Sequence, residues 1–84
     1  MNIIIAGLPT AKTQRTVSIV EEALDLLTCP ADVECVYDPA GMKKLGVRRT
    51  PTVVLNTQIK AEGRIPSIFE VERWIEAEDL VNQS

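Results

Sequence analysis

The chain contains no histidine among its 84 residues. Histidine is the commonest metal ligand and the usual general base near neutral pH, so its absence removes the first choice for both kinds of site. Aromatic residues are scarce, and no apolar run approaches the roughly 20 residues that cross a bilayer. We therefore expect no metal, no other cofactor and no membrane partner.

Basic residues are outnumbered by acidic ones, nine to twelve, which gives a formal net charge of -3. Nucleic-acid-binding domains usually carry a basic face and a high pI, so no nucleic-acid partner is expected. Residues 1–7 form too short an apolar start for a signal peptide and lack its charged flank, which favours a cytoplasmic location. In a reducing compartment, two cysteines are more often buried thiols than a structural bridge.

The hydrophobic pattern of the first half predicts strand, helix, strand. Residues 2–6 form a continuous β-branched run, typical of a buried strand, and residues 33–37 form a second strand. Between them, Thr10 caps a helix that continues to about Thr28. The apolar stripe of this helix consists of Val17, Val20, Leu24 and Leu27, and Thr13 lies on the same face.

Turn and capping residues organise the second half. Asp38-Pro39 begins a short helix that ends near Gly46. Residues 52–55 and 59–62 pair as a hairpin.

A capping box, Ser67 with Glu70, opens the last helix. Its buried face carries Ile68, Val71 and Ile75. We expect one domain over residues 1–79 and a C-terminal tail over residues 80–84.

Several short motifs occur in the order found in a known family. They are Gly7 after the first strand, Leu45-Gly46-Val47, Thr50-Pro51-Thr52, and Glu62-Gly63 followed by Pro66-Ser67. Over nearly its whole length the chain resembles the small thioredoxin-like proteins of glutaredoxin size called redox-active disulfide proteins. Element order and resemblance imply an α/β thioredoxin fold, βαβαββα, with three helices and a four-stranded mixed sheet ordered second, first, third, fourth.

The family's redox cysteines are missing where the resemblance puts them. In the family, Cys-x-x-Cys begins the long helix, whereas this chain reads Thr10-Ala11-Lys12-Thr13. A threonine hydroxyl neither ionises near neutral pH nor forms a disulfide, so thiol attack and resolution are unavailable. Acyl or phosphoryl transfer by threonine is disfavoured too, because the chain has no histidine as base. The alternative is that the cysteines were replaced by mutation.

Cys29 and Cys35 are not expected to replace the missing pair. Cys29 follows the long helix, and Cys35 lies inside the second strand, which rises about 3.3 Å per residue. A disulfide requires Cα atoms within about 7 Å. We expect two packing thiols at the end of the domain opposite Thr10.

Thr50-Pro51 is the second candidate site feature. In the resembling family this proline is cis, faces the cysteine motif, and exposes the preceding backbone to an extended substrate segment. The alternative is a proline that only begins an edge of the hairpin strand. We expect Pro51 to be cis and to face Thr10.

Positive charge supports a partner at this end. Lys12 and Arg15 lie unfavourably for the helix dipole, and with Arg48 and Arg49 they are expected to form a basic patch near Thr10. The alternative is a solvated surface without a ligand. The predicted binding residues are Leu8, Pro9, Thr10, Ala11, Lys12, Arg48, Arg49, Thr50 and Pro51.

Three functions are compatible with these observations. The first is a redox-inactive binding or regulatory module for a protein or peptide partner, with an anionic segment as the preferred ligand. The second is a thiol-disulfide oxidoreductase whose cysteines were removed, or which uses Cys29 or Cys35. The third is a self-associating protein, for example a homodimer that uses Trp74.

Overall fold

A computed structural model of the protein describes the backbone of residues 1–83 and the side chains of residues 1–78. The elements follow the predicted order βαβαββα. They are β1 (Asn2–Ala6), α1 (Ala11–Leu26), β2 (Asp32–Val36), α2 (Pro39–Lys44), β3 (Thr52–Leu55), β4 (Gln58–Glu62) and α3 (Ile68–Gln83). No helix in residues 1–83 is long and apolar enough to cross a membrane.

The strands form one four-stranded mixed sheet in the order β2-β1-β3-β4, which confirms the predicted order. The central strand β1 pairs in parallel with β2 and antiparallel with β3, and β3 and β4 form the hairpin. Ile3 and Ile5 of β1 are fully buried, because α1 and α3 cover the same face of the sheet. The core between sheet and helices contains Ile3, Ile5, Val20, Ala23, Leu24, Val53, Leu55, Val71 and Ile75.

Helix α1 ends slightly earlier than predicted, and a threonine takes the left-handed position that follows it. Leu27 is the C-cap, and Thr28 has φ 51°. The Cys29 N–H donates to the Leu24 carbonyl at 3.0 Å, and the Thr28 N–H donates to the Asp25 carbonyl at 3.1 Å. This is a Schellman motif, whose left-handed residue is usually glycine because a Cβ is disfavoured there.

Replacing Thr28 with glycine should stabilise the protein by about 0.5–1 kcal/mol, since relief of left-handed strain exceeds the entropy that glycine adds to the unfolded chain. Urea unfolding should show a higher midpoint at an unchanged m-value. Thr28→Ala, which keeps a Cβ at this φ, is the control and should gain less. Equal stability of the two variants would contradict the strain assignment.

Helix α3 begins with the predicted capping box. The Glu70 N–H donates to the Ser67 hydroxyl at 3.2 Å, and the Ser67 N–H donates to the Glu70 carboxylate at 3.1 Å. The backbone stays helical to Gln83. The tail proposed for residues 80–84 therefore begins inside this helix, Ser84 lies outside the described residues, and the domain boundary after residue 79 stays a prediction.

The carboxylate of Glu70 should also make stability pH-dependent. Two hydrogen bonds from the Arg64 guanidinium, at 2.7 and 2.9 Å, and the Ser67 N–H lower the pKa of Glu70 from 4.5 to about 2. Since the folded pKa is depressed, this stabilisation is complete above pH 4.5 and is lost as the pH falls towards 2. The pair is partly exposed, so we expect no more than about 1 kcal/mol.

The measurement is urea unfolding of wild type and Glu70→Gln at about pH 6 and about pH 2.5. The stability difference between the two proteins should shrink at the lower pH. The control, Glu76→Gln, removes an exposed carboxylate of the same helix and should destabilise the protein less than Glu70→Gln does at the higher pH. A constant difference across the range would show that Glu70 does not titrate with an altered pKa.

Candidate functional site

The candidate site lies at the end of the sheet where β1 stops and β3 starts. These strands are antiparallel and pair Ala6 with Thr52, so the segments after β1 and before β3 leave the sheet side by side. Ala6 also pairs with Val36 at the end of β2, and Thr52 pairs with Glu62 at the end of β4. Four chain segments therefore meet at this end of the sheet, which is called the candidate site's edge below.

The first segment is the threonine turn, residues 8–13. The Thr10 N–H donates to the Leu8 carbonyl at 2.7 Å, and Leu8 itself is 53% exposed. Thr10 has extended backbone, and its hydroxyl accepts from the Thr13 N–H at 3.5 Å. Thr10 is thus the N-cap of α1, as predicted. The first-turn N–H groups of Ala11 and Lys12 point beyond the helix, where they have no intrahelical acceptor.

The two threonines differ in accessibility. Thr10 is exposed, whereas Thr13 is 1% exposed and lies against Gly7. Their hydroxyl oxygens are 3.5 Å apart. The turn therefore presents one accessible and one covered hydroxyl, with the helix N-terminus directly behind them.

The second segment is the proline loop, residues 48–51, which is tied down from β4. A single carboxylate oxygen of Glu62 accepts from the N–H groups of both Arg48, at 2.6 Å, and Arg49, at 3.3 Å. The Pro51 carbonyl accepts from the Gly63 N–H at 2.9 Å. The Thr50–Pro51 peptide bond is cis.

A further bond comes from β3, where the Thr52 hydroxyl donates to the Arg49 carbonyl. Thr50 differs from its neighbours, because no intramolecular hydrogen bond reaches its N–H or carbonyl within the described part of the chain. Its side chain is exposed, whereas Pro51 is buried. The loop is held on both sides of one free peptide backbone.

The hydrogen bonds from the loop backbone also change the pKa of the Glu62 carboxylate. The N–H of Arg48, followed by the N–H of Arg49 and the charges of both arginines, lowers the pKa of Glu62, although partial burial opposes this. The carboxylate is therefore ionised throughout the neutral range. An ionised acceptor makes the stronger bond to an N–H.

The four predicted cations are all exposed, but the three arginines line different surfaces. Arg48 borders a groove with Met42, Lys43 and Val47 of the α2 region. Arg49 lies along Gly63. Arg15 borders a groove between α1 and the start of α3. A single basic patch around Thr10 stays a prediction.

Both cysteines are free thiols, but only one lies where it was expected. Cys29 follows α1 at the far end of the domain. Cys35 pairs with Ile5, and the next residue, Val36, accepts a hydrogen bond from the Gly7 N–H. The prediction that Cys35 lies opposite Thr10 is therefore wrong: β1 and β2 are parallel, so a residue late in β2 approaches the end of β1.

The Cys35 thiol has a close neighbour. The neighbouring Cys35 side chain raises the pKa of the Tyr37 hydroxyl above its usual value. Tyr37 is exposed and follows β2 at the candidate site's edge of the sheet. Within the described side chains, no three His, Cys, Asp or Glu residues lie close enough to hold a metal ion.

Two participants at this edge, Glu62 and Tyr37, were not predicted from the sequence. Glu62 was noted only as part of a family motif, although the hairpin register places it opposite Thr52 and hence beside the proline loop. That register was the available signal. For Tyr37, the parallel pairing of β1 and β2 would have indicated the position.

The family model described as Thioredoxin domain matches residues 1–76. This range includes all four strands, both threonines and the proline loop. No curated protein matches the chain.

Proposed function

Since the chain belongs to the thioredoxin domain family, we propose that it is a redox-inactive binding module. It holds an extended, acidic segment of a partner against the threonine turn and the proline loop. The observation that carries this proposal is the free backbone of Thr50. Its neighbours are already bonded, Arg49 through its N–H and carbonyl and Pro51 through its carbonyl.

A free N–H and carbonyl on a fixed loop suit an extended ligand. A peptide that adds to such a backbone gains main-chain hydrogen bonds without sequence demands, and side-chain contacts then give specificity. The exposed apolar side chain of Leu8 and the unpaired first-turn amides of α1 offer such contacts from the other side of the site.

Redox inactivity follows from the chemistry of Thr10 and Thr13. In the family these two positions carry the cysteines, and a hydroxyl pair can neither attack nor re-form a disulfide. The chain keeps the proline loop but lacks thiols at positions 10 and 13, which favours binding of a partner without turnover.

An acidic partner is favoured by local charge. Lys12, Arg48 and Arg49 are exposed cations in or next to the two binding segments of a chain whose net charge is -3. The helix N-terminus adds partial positive charge. These contacts are solvent-accessible, so binding should weaken with salt.

Chemical-shift mapping tests the surface. We expect inorganic phosphate, glutathione or hexaglutamate to perturb amides of residues 8–12 and 48–51. Arg49→Ala should weaken hexaglutamate binding by about two- to fivefold, whereas Arg73→Ala on α3 should leave it unchanged. Perturbations confined to α3 around Trp74 would contradict the proposal and favour an interaction helix.

A second candidate, thiol-disulfide exchange, is favoured by the position of Cys35 beside this edge of the sheet. The assay is reduction of insulin disulfides with dithiothreitol. If the protein is a binding module, the rate of insulin reduction should equal the rate that dithiothreitol gives in buffer alone. Turnover that is lost in Cys35→Ser would establish the alternative, and cysteine codons at positions 10 and 13 of the native gene would establish replacement by mutation.

Two further predictions await measurement. A cytoplasmic location is tested by fractionation of cells that express the native gene. Homodimer formation is tested by light scattering, where a mass of one chain would exclude it at the concentration used.

A further inference from the structure

Glu62 makes an unusual contact for a residue at the end of an edge strand. One of its carboxylate oxygens receives N–H groups from two successive residues, Arg48 and Arg49, which precede it by 14 and 13 positions. Successive N–H groups that converge on one oxygen form a small anion-binding concavity. In this protein the anion is supplied from within the chain.

Together with the bond from the Thr52 hydroxyl to the Arg49 carbonyl, this contact fixes the N-terminal half of the proline loop. Pro51 is bonded to Gly63, and Thr52 belongs to β3, so the loop's C-terminal side is held by the hairpin. On its N-terminal side, Val47 is bonded to Met42 in α2. Between these anchors, the Glu62 carboxylate holds the amides of both residues directly before Thr50.

We propose that Glu62 is the positioning residue of the partner-binding loop: its carboxylate holds the Arg48 and Arg49 amides so that the Thr50 backbone is presented in one conformation. This inference rests on the proposed function, because it assigns the loop a partner. The inference adds that Glu62, whose negative charge repels an acidic segment, nevertheless promotes binding of that segment.

Electrostatic attraction and positioning predict opposite outcomes for the same substitution. If Glu62 acted only through its charge, its removal would strengthen binding of an acidic ligand. If it positions the loop, its removal releases two amides and increases the entropy cost of ordering the loop on binding. The charged groups acting on the carboxylate are Arg48 and Arg49.

Amide NMR of the full chain is the first measurement. In wild type, the Arg48 and Arg49 amide protons should shift together on acidification, with a midpoint below 4.5. Glu62→Gln should abolish this titration. Glu62→Ala should accelerate hydrogen exchange of both amides at least about tenfold, as expected for loss of a bond to a charged group. Glu76→Gln, an equal change of charge on α3, should alter neither.

Hexaglutamate affinity is the second measurement. Glu62→Ala should bind about three- to tenfold more weakly than wild type. Glu62→Gln, which keeps an acceptor oxygen, should bind more tightly than Glu62→Ala. Binding by Glu62→Ala that equals or exceeds wild type would overturn the positioning role.

The amide titration separates failure of this inference from failure of the proposed function. The inference is overturned if the Arg48 and Arg49 amide shifts do not change with pH and their hydrogen exchange does not change when Glu62 is removed. This holds wherever the ligand binds. If hexaglutamate perturbs no residue of the proline loop in wild type, the proposed function fails and with it the partner-binding role of Glu62. The titration then still reports whether the carboxylate holds the loop.

Discussion

Thr10→Cys combined with Thr13→Cys should convert the protein into a catalyst of disulfide reduction. The exposed first position and the covered second position suit a thiolate that attacks and a thiol that resolves. The helix N-terminus lowers the pKa of a cysteine there, which raises its thiolate fraction at neutral pH on the order of tenfold. We expect insulin reduction with dithiothreitol well above the wild-type rate.

The geometry for a bridge between these positions is largely in place. Their hydroxyl oxygens are already 3.5 Å apart, and one helical turn separates the residues. Thr10→Cys with Thr13→Ser is the matched control, because it retains the nucleophile but lacks the second thiol that resolves the mixed disulfide. Under oxidising conditions the double cysteine variant should keep only the free thiols of Cys29 and Cys35, whereas four free thiols would show that the turn has another shape.

Gly7→Ala should be the most costly small substitution near the site. A Cβ built on Gly7 collides with the Thr13 hydroxyl, which is buried and cannot move into solvent. Gly7 does not have positive φ, so the cost is steric rather than conformational. Overpacking of this kind destabilises by about 1–3 kcal/mol.

A double-mutant cycle identifies the colliding partner. Thr13→Ala removes the hydroxyl, so Gly7→Ala should cost less in that background, and urea unfolding measures the difference. The control is Gly46→Ala, where φ is 76° and no atom lies within 4 Å of the new Cβ. Its cost should not depend on Thr13. Equal costs of Gly7→Ala in both backgrounds would contradict the steric assignment.

Local sequence signals account for most of the fold. Some features depend only on residues close together in the sequence, so hydrophobic pattern and capping chemistry predict them. They are the β-branched run of β1, the Asp38-Pro39 start of α2 and the Ser67–Glu70 capping box. Thr28 departs from this rule. Its left-handed conformation is imposed by the Schellman bonds of α1, although a β-branched residue gives no local signal for it.

Contacts across the site were harder to predict, because they depend on register. Glu62 reaches Arg48 only after the hairpin aligns it with Thr52. Cys35 approaches the site because β2 runs parallel to β1, and distance from the end of α1 was a poor guide to its position. The family resemblance indicated the loop and the turn, but not the carboxylate that connects the loop to β4.

The position of β1 at the centre of the sheet has a consequence for synthesis on the ribosome. During synthesis, β1 finds its parallel neighbour only when β2 is complete, and its other neighbour only after Leu55, which pairs with Ile3. Until then an apolar strand has an unpaired edge, which is a template for association with other chains. A nascent chain stalled before β3 should therefore be a substrate for chaperones, and release of the hairpin should end that dependence.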